Sequence, residues 1–208
     1  GRVCASAMKD RVLYVQSHRA QQSRGVIWRD LGHARQQIPE DVTHWLLDEG
    51  SLTQRLQCCS GGQFSVLLLS QRWARPSPDE REIMQMRDRE VAQVRQTLLR
   101  VNGQPWVFAR SIIPRESLRG VNRRLCHLGN RSLGSWLFQA PDLRRSHFQV
   151  AHIDPHSKLV PGELQQGASL WGRRSRFEVG SAALLVSEVF LPAFRPWPRT
   201  LSTRPGTC

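Results

Sequence analysis

Glu188 interrupts the run Ala182-Ala183-Leu184-Leu185-Val186-Ser187-Glu188-Val189-Phe190-Leu191, which otherwise reads as a buried β-strand. Residues two apart in a strand share a face, so Glu188 sits beside Ala182, Leu184, Val186 and Phe190. A carboxylate on such a face must be paired, hydrogen-bonded or protonated, because burying an isolated charge is very costly. It is either a structural ion pair or edge position, or a ligand-facing carboxylate inside a closed pocket. Arg95 is the second charge of this kind, mid-strand in Ala92-Gln93-Val94-Arg95-Gln96-Thr97-Leu98-Leu99. Alternation puts it beside Gln93, Thr97 and Leu99, a partly polar face. On an open face Arg95 is solvated; under a cover of helices it becomes a fixed bidentate site for a carboxylate. A third feature, Leu170-Trp171-Gly172-Arg173-Arg174-Ser175-Arg176-Phe177, brings three arginines to one strand. They form a surface cluster or draw an anion toward a pocket, and the spacing does not decide which.

Other chemistries lack their residues. The chain has no nucleophile elbow, no glycine-rich phosphate loop and no catalytic-triad spacing. Its five cysteines form no C-x-x-C pair, and Cys58 and Cys59 are adjacent, so no metal-ligand spacing follows. His147, His152 and His156 have no cysteine or paired carboxylate near them in sequence to make a metal set. The chemistry that remains is cofactor-free and metal-free, with a small anionic substrate held between an arginine and a carboxylate.

The elements that must position these groups read as α+β. Pro39-Glu40-Asp41 starts a helix, with acids in its first turn and Val42, Trp45 and Leu46 on one face. Gly50 and Ser51 end it, and Ser51 caps a second short helix through Leu52 and Leu56. Strands are predicted over 64–69, 91–101, 105–113, 148–153, 170–179 and 182–191. Asn102-Gly103 joins the second and third as a hairpin, because both residues tolerate positive φ. Gly180-Ser181 turns the last pair. Residues 79–90 are predicted to be exposed, and 125–138 to be helical with breaks at Gly129 and Gly134. Residues 1–27 read as a disordered extension, 28–194 as one domain, and 195–208 as a disordered tail rich in Pro and Arg.

A net charge of +13 suggests nucleic acid, but its distribution argues otherwise. Residues 1–25 carry five basic residues against Asp10, and 193–208 carry three arginines, so seven of the thirteen charges lie outside the middle of the chain. With no reader motif, nucleic acid is not predicted as a partner. No segment approaches the roughly 20 apolar residues of a membrane span, so membrane insertion is not predicted either. The default location is the cytoplasm.

Five segments carry a resemblance. Leu46-Leu47-Asp48-Glu49-Gly50-Ser51-Leu52-Thr53, RQTLLRVNGQPW (95–106), Ser132-Leu133-Gly134-Ser135-Trp136-Leu137-Phe138, LWGRRSRF (170–177) and LLVSEVFLP (184–192) occur in this order. In that order they resemble the chorismate pyruvate-lyase family, over roughly residues 28–194. The resemblance implies a single antiparallel sheet of about six strands, with helical flaps closing an internal ligand site. It implies conversion of chorismate to 4-hydroxybenzoate and pyruvate without a cofactor, for ubiquinone biosynthesis, by a monomer. It further implies that Arg95 holds the ring carboxylate and Glu188 meets the ring hydroxyl, with backbone N–H groups of Leu52 and Leu133 helping to bind the carboxylate. Leu52 stands where one member of that family has Met, a change a backbone contact tolerates. The alternative is a non-catalytic small-molecule-sensing domain of the same fold, as in regulators that carry a DNA-binding unit upstream.

Overall fold

The computed structural model describes residues 25–195. The extension and tail predicted at the termini fall, over 1–24 and 196–208, outside the described residues. Strands β1 (Arg29–Asp30), β2 (Phe64–Ala74), β3 (Ala92–Val101), β4 (Gln104–Pro114), β5 (Arg144–Ile153), β6 (Leu170–Val179) and β7 (Ala182–Phe190) make one sheet. Its order is β1-β5-β6-β7-β4-β3-β2, antiparallel throughout. The expected count of six is exceeded only by the two-residue β1.

Both predicted hairpins form. Asn102 takes φ 52° and Gly103 φ 76°, the left-handed geometry for which that dipeptide is suited. Two strands run longer than their apolar cores suggest: β2 continues to Ala74 and β5 begins at Arg144. Each extension passes through a register shift, between Leu68 and Ser70 in β2 and between Ser146 and Phe148 in β5.

Helices α1 (Leu31–Ala34), α2 (Glu40–Leu46) and α3 (Leu52–Cys59) precede β2, and α4 (Pro78–Ile83) follows it. Two 3₁₀ segments (Arg115–Leu118 and Gly120–His127) and α5 (Leu133–Leu137) follow β4, and α6 (Gly162–Gln165) precedes β6. Trp45, Leu46, Leu52 and Leu56 of α2 and α3 pack on Val66, Leu99, Val107, Val150 and Phe190. Leu125, Leu128, Leu133 and Leu137 pack on Ile113, Phe177 and Leu184. Two apolar plugs thus cover the two ends of one sheet face, and the residues between them need not be apolar. Separate clusters, around Phe108 with Ile153 and around Ile112 with Met84, involve the other side chains of the same strands.

The stretch 79–90 corrects an expectation. It is not wholly exposed: α4 begins with a capping box at Ser77, and Glu80 is 3% exposed. Glu80 accepts two hydrogen bonds from Arg110, at 2.7 and 3.0 Å.

Candidate active site

Alternation and register decide which side chains meet. Arg95 on β3 lies opposite Gln71 on β2 and Ser111 on β4. One pleat step away, Thr97 lies opposite Ala109, Ala109 opposite Glu188, and Glu188 opposite Arg173. Arg95 and Glu188 are therefore two strands and one pleat step apart. Two interstrand spacings of about 4.8 Å and a two-residue step of about 6.8 Å place their Cα atoms roughly 12 Å apart. Both side chains line one partly enclosed cavity. The sheet supplies its floor through Arg95, Thr97, Ser111, Arg173 and Glu188, and the ends of α3 and α5 supply its roof.

Arg95 is 2% exposed. Its Nη1 donates to Gln71 Oε1 at 3.0 Å, and its Nη2 donates to the carbonyls of Gly129 and Arg131 at 2.9 and 2.8 Å. Gln71 in turn donates to the carbonyls of Leu125 and Cys126. The pair staples the segment before α5 to the sheet. Burial pushes the Arg95 guanidinium below its ordinary value. Among the described residues no carboxylate pairs with it, which leaves Nε–H and one Nη1 hydrogen for another acceptor.

Glu188 is both ion-paired and cavity-facing, so the two readings of the sequence meet in one residue. Arg173 Nε donates to Glu188 Oε2 at 2.7 Å. Arg173, 2% exposed, also donates through Nη1 to Trp45 O at 3.1 Å and Asp48 O at 2.6 Å, tying the end of α2 to the sheet. The arginines of β6 are thus not one surface cluster. Arg174 points away from the cavity, bonding Gln149 at 2.8 Å and Asp79 at 2.7 Å. Arg176 reaches Ile83 O and Glu178.

Leu52 and Leu133 are each the first residue of a helix, α3 and α5, behind a serine N-cap. Ser51 accepts from Gln54 N at 3.3 Å and Ser132 from Ser135 N at 3.2 Å. The N–H of a first helical residue has no intrahelical acceptor, and the helix dipole favours an anion there. The two helix starts touch: Thr53 Oγ1 and Ser132 Oγ lie 2.7 Å apart. A Cβ on Gly134 would meet Thr53 Oγ1 at 3.0 Å, so glycine lets the two helix starts approach this closely without displacing that hydroxyl. Leu52, Thr53, Ser132 and Leu133 all border the cavity that holds Arg95.

Sequence reasoning passed over Arg145, which also lines the cavity. Counting back from the apolar strand places Arg145 on the same side as Gln149 and Ala151. The register shift removes that parity: His147 takes φ 51°, and Arg145 pairs with Phe177 while Phe148 pairs with Ser175. Arg145 therefore turns toward the face of Phe177, Ser175 and Arg173. His147 is non-apolar, but so are Arg144, Arg145 and Ser146 before it, so nothing local marks the bulge. The titratable groups around the cavity are Arg95, Arg145, Arg173 and Glu188, three guanidiniums against one carboxylate.

Comparison with known proteins places the chain in a family. The family model described as chorismate lyase matches residues 23–200. "Probable chorismate pyruvate-lyase 2" of Pseudomonas fluorescens is 37% identical, over 90% of this chain and 100% of that protein. "Probable chorismate pyruvate-lyase" of Pseudomonas putida is 41% identical, over 85% of this chain and 94% of that protein. A solved GntR-family transcriptional regulator from Bacillus cereus matches with a TM-score of 0.48 and 11% identity, over 67% of this chain and 99% of that one, a likeness that carries no functional argument. With the family matched over most of its length, and with relatives of about 40% identity covered nearly end to end, the chain belongs to the chorismate lyase family.

Proposed function

We propose that the chain is a chorismate pyruvate-lyase that converts chorismate to 4-hydroxybenzoate and pyruvate, the first committed step of ubiquinone biosynthesis, without metal or cofactor. The observation that carries this is the cavity itself. Arg95 and Glu188, 93 positions apart in the chain, line it together under the starts of two helices. Arg95, with the N–H groups of Leu52 and Leu133, anchors the ring carboxylate. Glu188, held by Arg173, accepts a hydrogen bond from the ring hydroxyl.

The reaction breaks the ether bond between the ring and the enolpyruvyl oxygen. The ring carbon that bears the hydroxyl loses its hydrogen, the enolpyruvyl methylene gains one, and pyruvate leaves. Aromatisation drives the step, so the protein mainly has to position the substrate and exclude water. A carboxylate bound to a guanidinium at 2.7 Å is a fixed acceptor. Glu188 accordingly acts as a positioner, and the hydrogen moves within the substrate.

The test is a pyruvate assay on purified protein with chorismate and no added metal, coupled to lactate dehydrogenase, with the aromatic product followed by absorbance. Equal release of pyruvate and 4-hydroxybenzoate is expected. Chorismate binding without release of either would make the chain a sensing module instead.

A further inference from the structure

Arg145 is a cation without a counter-ion. It makes no hydrogen bond or ion pair with any other described residue, and its Nε and Nη1 are both buried and unpartnered. Such a group is costly to keep unless something brought to it supplies the missing acceptor. Its surroundings hold it in place without neutralising it. The guanidinium carbon lies 4.8 Å from the Phe177 ring centroid, 5.1 Å from that of Phe148 and 5.8 Å from that of Phe138. Ring faces at these distances attract a cation and restrict its side chain, but they offer no hydrogen-bond acceptor in the guanidinium plane. Burial, and then the neighbouring Arg173 charge, push Arg145 below the ordinary arginine value, against a smaller opposite pull from Glu188, Glu49 and Asp48.

The other charges of the cavity already have work. Arg173 is bound to Glu188 and to two carbonyls. Arg95 is clamped to the α5 approach, with Nε–H or its remaining Nη1 hydrogen to meet a carboxylate. Three guanidiniums against one carboxylate leave two positive charges in the cavity, and the substrate of the proposed reaction is a dianion. One of its carboxylates is on the ring. The other is on the enolpyruvyl arm, attached next to the carbon that bears the hydroxyl, and so lies toward Glu188. Arg145 belongs to that end: its guanidinium carbon and that of Arg173, which holds Glu188, lie 5.1 and 5.9 Å from the same Phe148 ring centroid.

Resting on the lyase reading, we propose that Arg145 binds the enolpyruvyl carboxylate and is the group that distinguishes chorismate from monocarboxylates that share its ring end. Bidentate on one fork of the guanidinium, Nε with Nη2 or Nη1 with Nη2, that carboxylate gives one of the two buried nitrogens its acceptor and orients the ether bond. When the bond breaks, the two carboxylates are on separate molecules. The interaction at Arg145 then leaves with pyruvate, and 4-hydroxybenzoate keeps only the anchor at Arg95.

The experiment compares wild type, Arg145→Met and Arg145→Lys in three measurements: kcat and KM for chorismate, Kd for 4-hydroxybenzoate, and thermal melting. Loss of one charged hydrogen-bonded pair in Arg145→Met is expected to raise KM for chorismate about 30- to 100-fold. The Kd for 4-hydroxybenzoate should move less than about threefold, which also reports that the pocket is folded. Arg145→Lys, which keeps the charge but loses the planar fork, should recover about a third to a half of the lost affinity on a logarithmic scale. A chorismate KM within threefold of wild type in Arg145→Met overturns the assignment alone. Equal loss of chorismate and 4-hydroxybenzoate binding also overturns it, by making Arg145 a structural residue. Absence of pyruvate release from the wild-type protein overturns the lyase reading, and this assignment with it.

Discussion

Replacing Arg173 by methionine tests whether the sheet floor and the helical roof are held together by one side chain. Arg173 is almost completely buried and meets three acceptors: Glu188 Oε2 at 2.7 Å, Trp45 O at 3.1 Å and Asp48 O at 2.6 Å. Methionine fills much of the volume and donates nothing. Removing one partner of a buried ion pair costs about 3–5 kcal/mol, mostly from the stranded charge. The Glu188 side chain keeps 19% of its surface accessible, so water can partly replace the guanidinium, and the lower end of that range, ~3 kcal/mol, applies. For a domain of this size that corresponds to a fall in Tm of roughly 6–12 °C. The assay is a double-mutant cycle in urea with Glu188→Gln as the second change. Because glutamine strands no charge, Arg173→Met should cost about 1.5–2 kcal/mol less in the Glu188→Gln background than in wild type. A single-variant cost below about 1 kcal/mol, or equal costs in the two backgrounds, would refute the coupling and with it the idea that Arg173 fixes Glu188 as a carboxylate acceptor.

Three further outcomes are expected. Glu188→Gln keeps a hydrogen-bonding group at the ring hydroxyl and should lower kcat by about tenfold or less, measured as pyruvate release; a loss of about a thousandfold with an intact fold would make Glu188 a true base. Arg95→Ala should weaken 4-hydroxybenzoate binding about 100-fold by titration calorimetry, since a charged anchor is lost, and unchanged affinity would remove the carboxylate assignment. Gly172→Ala places a Cβ 2.7 Å from Ile153 Cδ1 and 3.4 Å from Glu188 O, so thermal or urea unfolding should register a loss of about 1–3 kcal/mol, whereas an unchanged midpoint would mean that the fully buried Ile153 has room to turn aside.

Much of the fold was legible because its signals are local. Asn102-Gly103 demands a two-residue hairpin, Ser51 caps α3, and the apolar run of β7 marks its own ends. Glu188 and Arg95 were legible for a related reason: in an uninterrupted strand, alternation alone says which neighbours a charge keeps. Arg173 obeys the same rule, but its neighbours Arg174 and Arg176 conceal it, since only the register with Glu188 tells the inward one from Arg174. Arg145 was illegible because parity fails at His147, where one extra residue turns the strand over. The buried Glu80 was missed for another reason: its partner Arg110 lies 30 positions away on another element, and no local pattern shows that pairing.

The bulge also ties the architecture of the sheet to the charge of the cavity. A regular β5 that kept Phe148 and Val150 facing inward would turn Arg145 to the opposite side, toward the face where Arg174 and Arg110 already meet Asp79 and Glu80. The cavity would then hold two guanidiniums and one carboxylate, enough for a monoanion such as the aromatic product. With the bulge it gains a third guanidinium that no other described residue pairs with. The extra residue costs a pair of ladder bonds and a left-handed φ in a non-glycine residue, which the apolar clusters at both ends of the sheet face can sustain. What it supplies is a difference of one charge between the group that enters the cavity and the aromatic one that stays behind. On that reasoning, deleting His147, which leaves Arg145 two residues before Phe148 in an unbulged strand and so still facing inward, should preserve discrimination between chorismate and monocarboxylates, measured as the ratio of their affinities; loss of that ratio in a folded protein that still binds 4-hydroxybenzoate would refute the link between strand parity and cavity charge.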